Sequence, residues 1–322
     1  MLFYTKVPVP KSVNPIDYTS KIVSLGSCFA ENMGEKFHYF KFQSVVNPFG
    51  IIFNPVSIEN LVLRVVTNQK FTEEDIFFHN DLWHSYEMHS ELSHPDKETF
   101  LQNLNQILEQ TNNQITASTH IIITYGTSWV YRNKSSKKIV ANCHKVPQSQ
   151  FDKEILSVET IETTIQNTID VIRKINPNCA FIFTVSPVRH IKDGFIENQR
   201  SKAHLITAIH SSNCHPEPVE GHLPTSNYFP SYEIMMDELR DYRFYAEDML
   251  HPSQTAIDYI WVRFFENYIS EENYSTMEEV CSIQKGLAHR PFNPDSDSHQ
   301  KFISSLNDNI IRLQEKFPRF KF

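Results

Sequence analysis

Apolar residues fall into two patterns along the chain. Short unbroken runs end at turn formers: Ile22-Val23-Ser24-Leu25 stops at Gly26, His120 to Tyr125 at Gly126, and Ala180 to Val185 at Ser186-Pro187. Each is too short for an ordinary helix and reads as a buried strand. Ser44-Val45-Val46, ending at Asn47-Pro48-Phe49-Gly50, is a fourth strand of the same kind. Between the strands the spacing changes to that of a helix. Phe29, Met33 and Phe37 recur every fourth residue; Ile58 to Val66, Glu98 to Gln110 and Ser157 to Ile175 continue in that mode, the last stopped by Asn176-Pro177. From Ser253 the chain is helical through Phe265, and again from Ser298 to Glu315, where Ile303, Leu306, Ile310 and Leu313 keep helical spacing.

Strands alternating with helices predict an α/β fold, a mostly parallel sheet covered on both faces. In such sheets reactive groups collect beyond the carboxyl ends of the strands. Here those ends are Gly26-Ser27-Cys28, Asn47 to Gly50, Gly126-Thr127-Ser128 and Ser186-Pro187. Two segments break the alternation. Residues 128–144 read as a hairpin around the polar turn Asn133 to Lys137, and residues 211–227, rich in Pro, His and Ser, as an exposed loop. The expected organisation is one α/β domain over residues 1–270, with a helical extension over 271–322 packed on it.

Composition removes several functions. With 7 glycines in 322 residues the chain holds neither GxGxxG nor GxxxxGK[ST], so neither common nucleotide cradle can be built. The 30 Lys+Arg against 38 Asp+Glu, net −8, do not make a nucleic-acid footprint. The apolar runs fall short of the roughly 20 residues of a membrane span, and the first twelve residues lack the apolar stretch of a secretory signal. The 5 cysteines form no CxxC pair, which points to a reducing compartment, the cytoplasm. No cofactor is implied.

Chemistry is expected where Ser27 leaves a strand and opens a helix. Gly26 permits a sharp turn, and the helix start offers N–H groups to an oxyanion. The plainer alternative is that Ser27 caps the helix. Asp248-Met249-Leu250-His251 lies just before the helix from Ser253. Three residues apart in a loop, Asp248 can hold His251 in the tautomer that accepts a proton from a serine; two solvated polar groups in a capping loop are the alternative. Cys28 is a rival nucleophile, against the stronger reading of a small apolar core residue. Arg189 and His190 follow a strand and are placed to hold an anionic substrate group, or are plain loop residues. Asn142 and His144 end the hairpin, in a binding or a purely structural role. His79, His84, His89 and His94 recur every five residues, but about 500° of helical rotation separates successive members and a strand alternates them. They do not define a metal site. His210, Cys214, His215 and His222 likewise lack ligand spacing, and Tyr242 to Tyr245 reads as packing rather than a platform for bases.

Leu25-Gly26-Ser27-Cys28-Phe29-Ala30 and Asp248-Met249-Leu250-His251 together resemble the GSCFA-domain family, within the SGNH/GDSL hydrolase superfamily. Asn47 to Gly50, Gly126 to Trp129, Asn142 to Pro147 and Ser186 to His190 extend the likeness over roughly residues 20–260. The resemblance implies a flavodoxin-like three-layer α/β/α fold with Ser27 as nucleophile, His251 as base and Asp248 orienting it. It implies an oxyanion hole drawn from Gly50 or Asn47 and from Gly126 and Ser128, although Ser128 stands where the superfamily has asparagine and Gly26 where it has aspartate. The implied activity is a serine esterase or acyl hydrolase on O-acyl groups of a carbohydrate or a small ester. An O-acyltransferase needs the same residues, and a non-catalytic carbohydrate- or peptide-binding module is the alternative from another class. Expected partners are a small-molecule or glycan ester, with neither nucleic acid nor membrane; the sequence does not define an oligomeric state.

Overall fold

The computed structural model describes residues 4–212 and 226–322. In chain order its strands are β1 (Lys21–Gly26), β2 (Gln43–Val46), β3 (Phe77–His79), β4 (Leu82–His84), β5 (His120–Tyr125), β6 (Trp129–Asn133), β7 (Ile139–Val140), β8 (Phe151–Ile155), β9 (Ala180–Val185) and β10 (Ser226–Phe229). The helices are α1 (Cys28–Tyr39), α2 (Pro55–Val66), α3 (Lys97–Ala117), α4 (Val158–Arg173), α5 (Phe195–Ser211), the single-turn α6 (Ser231–Glu233), α7 (Gln254–Tyr268), α8 (Tyr274–Ala288) and α9 (Asp297–Lys316). Five strands form the central sheet in the order β10-β9-β5-β1-β2, with every pairing parallel. The mostly parallel α/β fold expected from the alternation is the one observed.

Strand parity builds the two faces, because successive side chains point to opposite sides. Val23, Leu25, Ile121, Ile123, Phe181 and Phe183 join one apolar cluster with Ile58 and Leu61 of α2, Leu104 of α3, Ile165 of α4 and Leu205 of α5. Ile22, Ile122 and Ile182, one residue out of step, face the other way, onto Phe29, Met33 and Phe37 of α1 and Trp261 and Phe264 of α7. Helices thus cover both sides, in three layers. The helices from α8 onward close the second layer: Met277, Val280, Ile283, Leu306 and Leu313 belong to the cluster that holds α1. Gln284 Nε2 donates to Tyr39 O at 3.3 Å, and the rings of Phe317 and Phe320 lie 5.2 Å from that of Tyr18.

The hairpin expected over 128–144 is larger than its pattern indicates. β6 pairs with β7 and also with β8, giving a small antiparallel sheet in the order β7-β6-β8. Phe151-Asp152-Lys153-Glu154-Ile155, with three charged residues in a row, carries too few apolar residues to stand out as a strand. Helix α3 runs seven residues beyond Gln110, to Ala117, and α5 has no counterpart among the sequence-predicted elements. Most of the loop expected at 211–227, with Cys214, His215 and His222, lies outside the described residues. Among the described residues no helix is long and apolar enough to cross a membrane.

Candidate active site

The carboxyl ends of β1, β5 and β9 meet at one edge of the sheet. At β1, Gly26 has φ +142°, and a Cβ there would fall 2.2 Å from Thr124 O, so only glycine makes this turn without displacing β5. The Ser27 N–H donates to Thr124 O at 3.0 Å. Its Oγ caps α1, accepting from the Phe29 N–H at 3.3 Å, and the residue is buried. The turn is latched from β2. Asn47, at φ +44°, accepts the Gly26 N–H on its Oδ1 at 2.8 Å, and its own carbonyl takes the Gly50 N–H at 2.7 Å. Asn47 therefore braces the Gly26–Ser27 turn, and Gly50 closes the Asn47 loop behind it.

The Asp248–His251 loop is built around one carboxylate. Asp248 Oδ1 accepts the N–H groups of Leu250 (2.9 Å) and His251 (3.0 Å), and Oδ2 stands 2.6 Å from His251 Nδ1. Those two backbone donors and then the imidazole draw the Asp248 pKa down to about 2. Both side chains are half-exposed. The loop is tied to the edge where Arg189 N–H donates to Leu250 O at 3.1 Å, and closed by Ala246 N–H to His251 O at 2.7 Å. With Nδ1–H directed at Asp248, the neutral imidazole carries its lone pair on Nε2.

Sequence reasoning missed the group that ties the strand ends together. Lys202 on α5 is 1% exposed, and its Nζ donates to Gly126 O (2.6 Å) and Ser186 O (2.7 Å), the turns after β5 and β9. Burial draws its pKa down to about 7, opposed by the Cys28 thiol. One position earlier, Ser201 Oγ receives the Ser128 N–H at 2.8 Å and lies 2.7 Å from Thr127 Oγ1, and Ser201 O accepts from Ser128 Oγ at 3.2 Å. Asn198 Oδ1 takes the His190 N–H at 2.8 Å. The signal was periodicity: counting back from Ala208 and Leu205 by helical steps lands on Ser201, Lys202 and Asn198, polar residues on an inward face.

The other expected residues take the following places. Gly126 N–H donates to Phe53 O at 2.8 Å, so the groups proposed for the oxyanion hole at Gly50, Asn47, Gly126 and Ser128 all have protein partners. The Arg189 guanidinium lies 4.0 Å from the Tyr245 ring centre and 5.2 Å from that of Tyr242. It is held on aromatic faces, which gives Tyr242 and Tyr245 a packing role. His190 reaches the edge. Burial, then the charges of Lys202 and His251, drive its pKa down to about 3, and its buried Nε2 has no hydrogen-bond partner among the described residues. Asn142 accepts the His144 N–H at 2.8 Å and donates to Ser90 Oγ at 3.1 Å. His144 turns away onto the β3–β4 hairpin, its ring against those of Phe77 and His84, 3% exposed, with Nε2 2.7 Å from Ser85 O and its pKa lowered to about 4 by burial. The Cys28 thiol is pushed up by burial and then by Glu31, which does not favour a thiolate.

A cleft of about 350 Å³ opens beside this edge, lined by Phe53, Trp129, Tyr131, Asn142, Lys153 and His190 among others. Lys153 bridges to Asp193 and lies 5.3 Å from the ring centres of Trp129 and Tyr131. A larger groove of about 720 Å³ between α2, α4 and the β6–β7 turn is lined by none of the candidate residues.

The model of the GSCFA family matches residues 21–264, from the first residue of β1 to within α7, and that of the GSCFA domain protein C-terminal domain matches residues 280–322. The chain belongs to the GSCFA family. The family match spans the Ser27 turn, the Asp248–His251 loop and the α5 face, and the C-terminal match covers most of α8 and all of α9. Among solved structures, an acetyl xylan esterase (Est2A) from the rumen bacterium Butyrivibrio proteoclasticus is similar at a TM-score of 0.39 and 10% identity, over 85% of this chain and 66% of that one. No curated protein matches the chain.

Proposed function

We propose that this GSCFA protein is a serine esterase or acyl hydrolase in which Ser27 is the nucleophile, His251 the general base and Asp248 its orienting carboxylate. The observation that carries the reading is the Asp248–His251 couple, 2.6 Å between Oδ2 and Nδ1. Its carboxylate is fixed by two backbone donors, on a loop stitched to the sheet edge where Ser27 opens α1. A serine hydroxyl is a weak nucleophile until such a base takes its proton. Ser27 Oγ gives up its capping bond and forms a bond to the ester carbonyl carbon, while its proton passes to His251 Nε2. The C–O bond to the alcohol then breaks and that proton leaves with the alcohol; water, or a second alcohol in a transferase, repeats the sequence in reverse. The Cys28 N–H, at the first position of α1, is one of the donors a helix start leaves unpaired, and it takes the oxyanion in this scheme. Substrates are esters of a carbohydrate or small alcohol, the aromatic walls of the adjacent cleft suiting a ring face.

The engaged donors at Gly50, Gly126 and Ser128 favour a second reading, a non-catalytic glycan- or peptide-binding module. A fluorophosphonate serine probe separates the two. An adduct mapped to Ser27, lost in both Ser27→Ala and His251→Ala, supports the esterase; folded wild-type protein that takes no label refutes it.

A further inference from the structure

A lysine with no access to water is rare unless its charge has a task. Among the described residues Lys202 has no carboxylate partner. From α1 it meets Cys28, from the turn after β9 His190, and from α6 the ring of Tyr232 at 5.5 Å; on its own helix Ser201 and Asn198 bind the neighbouring turns. Its two acceptors are carbonyls that β5 and β9 present at the reactive edge. Thr124 O receives the Ser27 N–H, and Gly126 O, two residues further on, receives Lys202. The ammonium is near enough to the first residue of α1 for the Cys28 thiol to act on its charge, on the side of the dipole end that favours negative charge.

We propose that Lys202 is the buried counter-charge of the Ser27 site: its ammonium stabilises negative charge arriving at Ser27, so the reactivity of Ser27 follows the protonation of Lys202. This rests on the reading of Ser27 as nucleophile. Lys202 touches no reacting atom in this scheme and acts as a positioning residue, holding two strand ends and setting the local potential. Two N–H groups suffice for two carbonyls, so the neutral amine fits the same cradle. The cradle accepts either protonation state, and a charge appearing at Ser27 selects the ammonium.

The test is the rate of fluorophosphonate labelling of Ser27 in the intact protein as a function of pH, in wild type, Lys202→Met and Lys202→Arg. Wild type shows a basic limb, the rate falling as Lys202 loses its proton. Lys202→Met is slower by about 10- to 100-fold on the acid side of that limb and lacks the limb, as expected for one unscreened charge in a protein interior. Lys202→Arg keeps the charge at every pH, so the limb vanishes at a rate near that of wild type. A titration of lysine side chains by ¹³C NMR in unmodified wild type reads the Lys202 midpoint without any variant having to fold; it coincides with the limb. A limb that survives in Lys202→Met, or a Lys202 midpoint well away from it, overturns the counter-charge and leaves the serine reading standing. Wild-type protein that is folded yet unlabelled overturns the serine reading, and the counter-charge with it.

Discussion

Replacing Lys202 by methionine perturbs stability in a way that depends on pH, and the sign is fixed by the burial. Lysine ordinarily titrates at 10.5, and burial in this fold draws Lys202 to about 7. Below the lower value both folded and unfolded chains are protonated, and the fold carries the full penalty of a desolvated ammonium. Between the two values the unfolded chain holds a proton that the folded one has released, so stability climbs with pH. The slope is about 1.4 kcal/mol per pH unit, with a ceiling of about 5 kcal/mol over the whole window. Methionine removes the titration. It also leaves Gly126 O and Ser186 O without their donor, at about 1–3 kcal/mol each and independent of pH. The measurement is urea unfolding of both proteins from about pH 6 to about pH 9, taking the difference at each pH so that other titrating groups cancel. Wild type gains about 2–3 kcal/mol on the variant between about pH 7 and pH 9. A difference that stays flat across that range refutes the account of Lys202 as a desolvated, weakly basic amine.

Asn47→Ala orphans the buried Gly26 N–H and costs about 1–3 kcal/mol, read as a lowered Tm, with slower labelling of Ser27 because its turn loosens. Asp248→Asn keeps the loop acceptor but favours the wrong imidazole tautomer, so esterase or labelling rates fall by about 10³- to 10⁴-fold with little change in Tm. The Asp248 carboxylate, drawn down to about 2, stays ionised as pH falls through the ordinary carboxylate range; its contribution to loop order is lost only near that value, which NMR of the His251 ring follows. Phe320→Ala opens a cavity beneath the Tyr18 and Phe317 rings and destabilises by about 3–5 kcal/mol in denaturant unfolding, although the residue is far in sequence from every candidate site residue.

What could be read from the sequence follows from how local each signal is. The apolar runs ending at Gly26, Gly126 and Ser186 gave the three inner strands, because a strand buried on both faces needs no partner to be recognised. The Ser27 turn was legible because φ +142° leaves glycine as the residue before it. Asp248 and His251 sit close in sequence, so their contact was foreseeable from spacing alone. Lys202 was not, since its task is set by carbonyls contributed from two distant strands, and its inward position shows only once α5 is recognised. The histidines spaced by five show the same limit. Neither helix nor strand periodicity brings them together, yet the β3–β4 hairpin places the rings of His79 and His84 6.4 Å apart, and the ring of His144 lies tilted 4.6 Å from His84. Gly50 and Ser128 were matched to an oxyanion hole by motif order, which carries no information about which N–H groups the fold already uses.

Helix α1, which Ser27 caps, is gripped on its buried side by α7 and α8, segments more than two hundred residues further along the chain. A ribosome therefore finishes β1 and the Gly26–Ser27 turn long before it makes the surfaces that seat α1. Contacts of such sequence separation form late and slowly. On the proposed role of Ser27, nascent chains carry the serine before its helix is seated, and its reactivity switches on with completion of the helical layer rather than with synthesis of the turn itself.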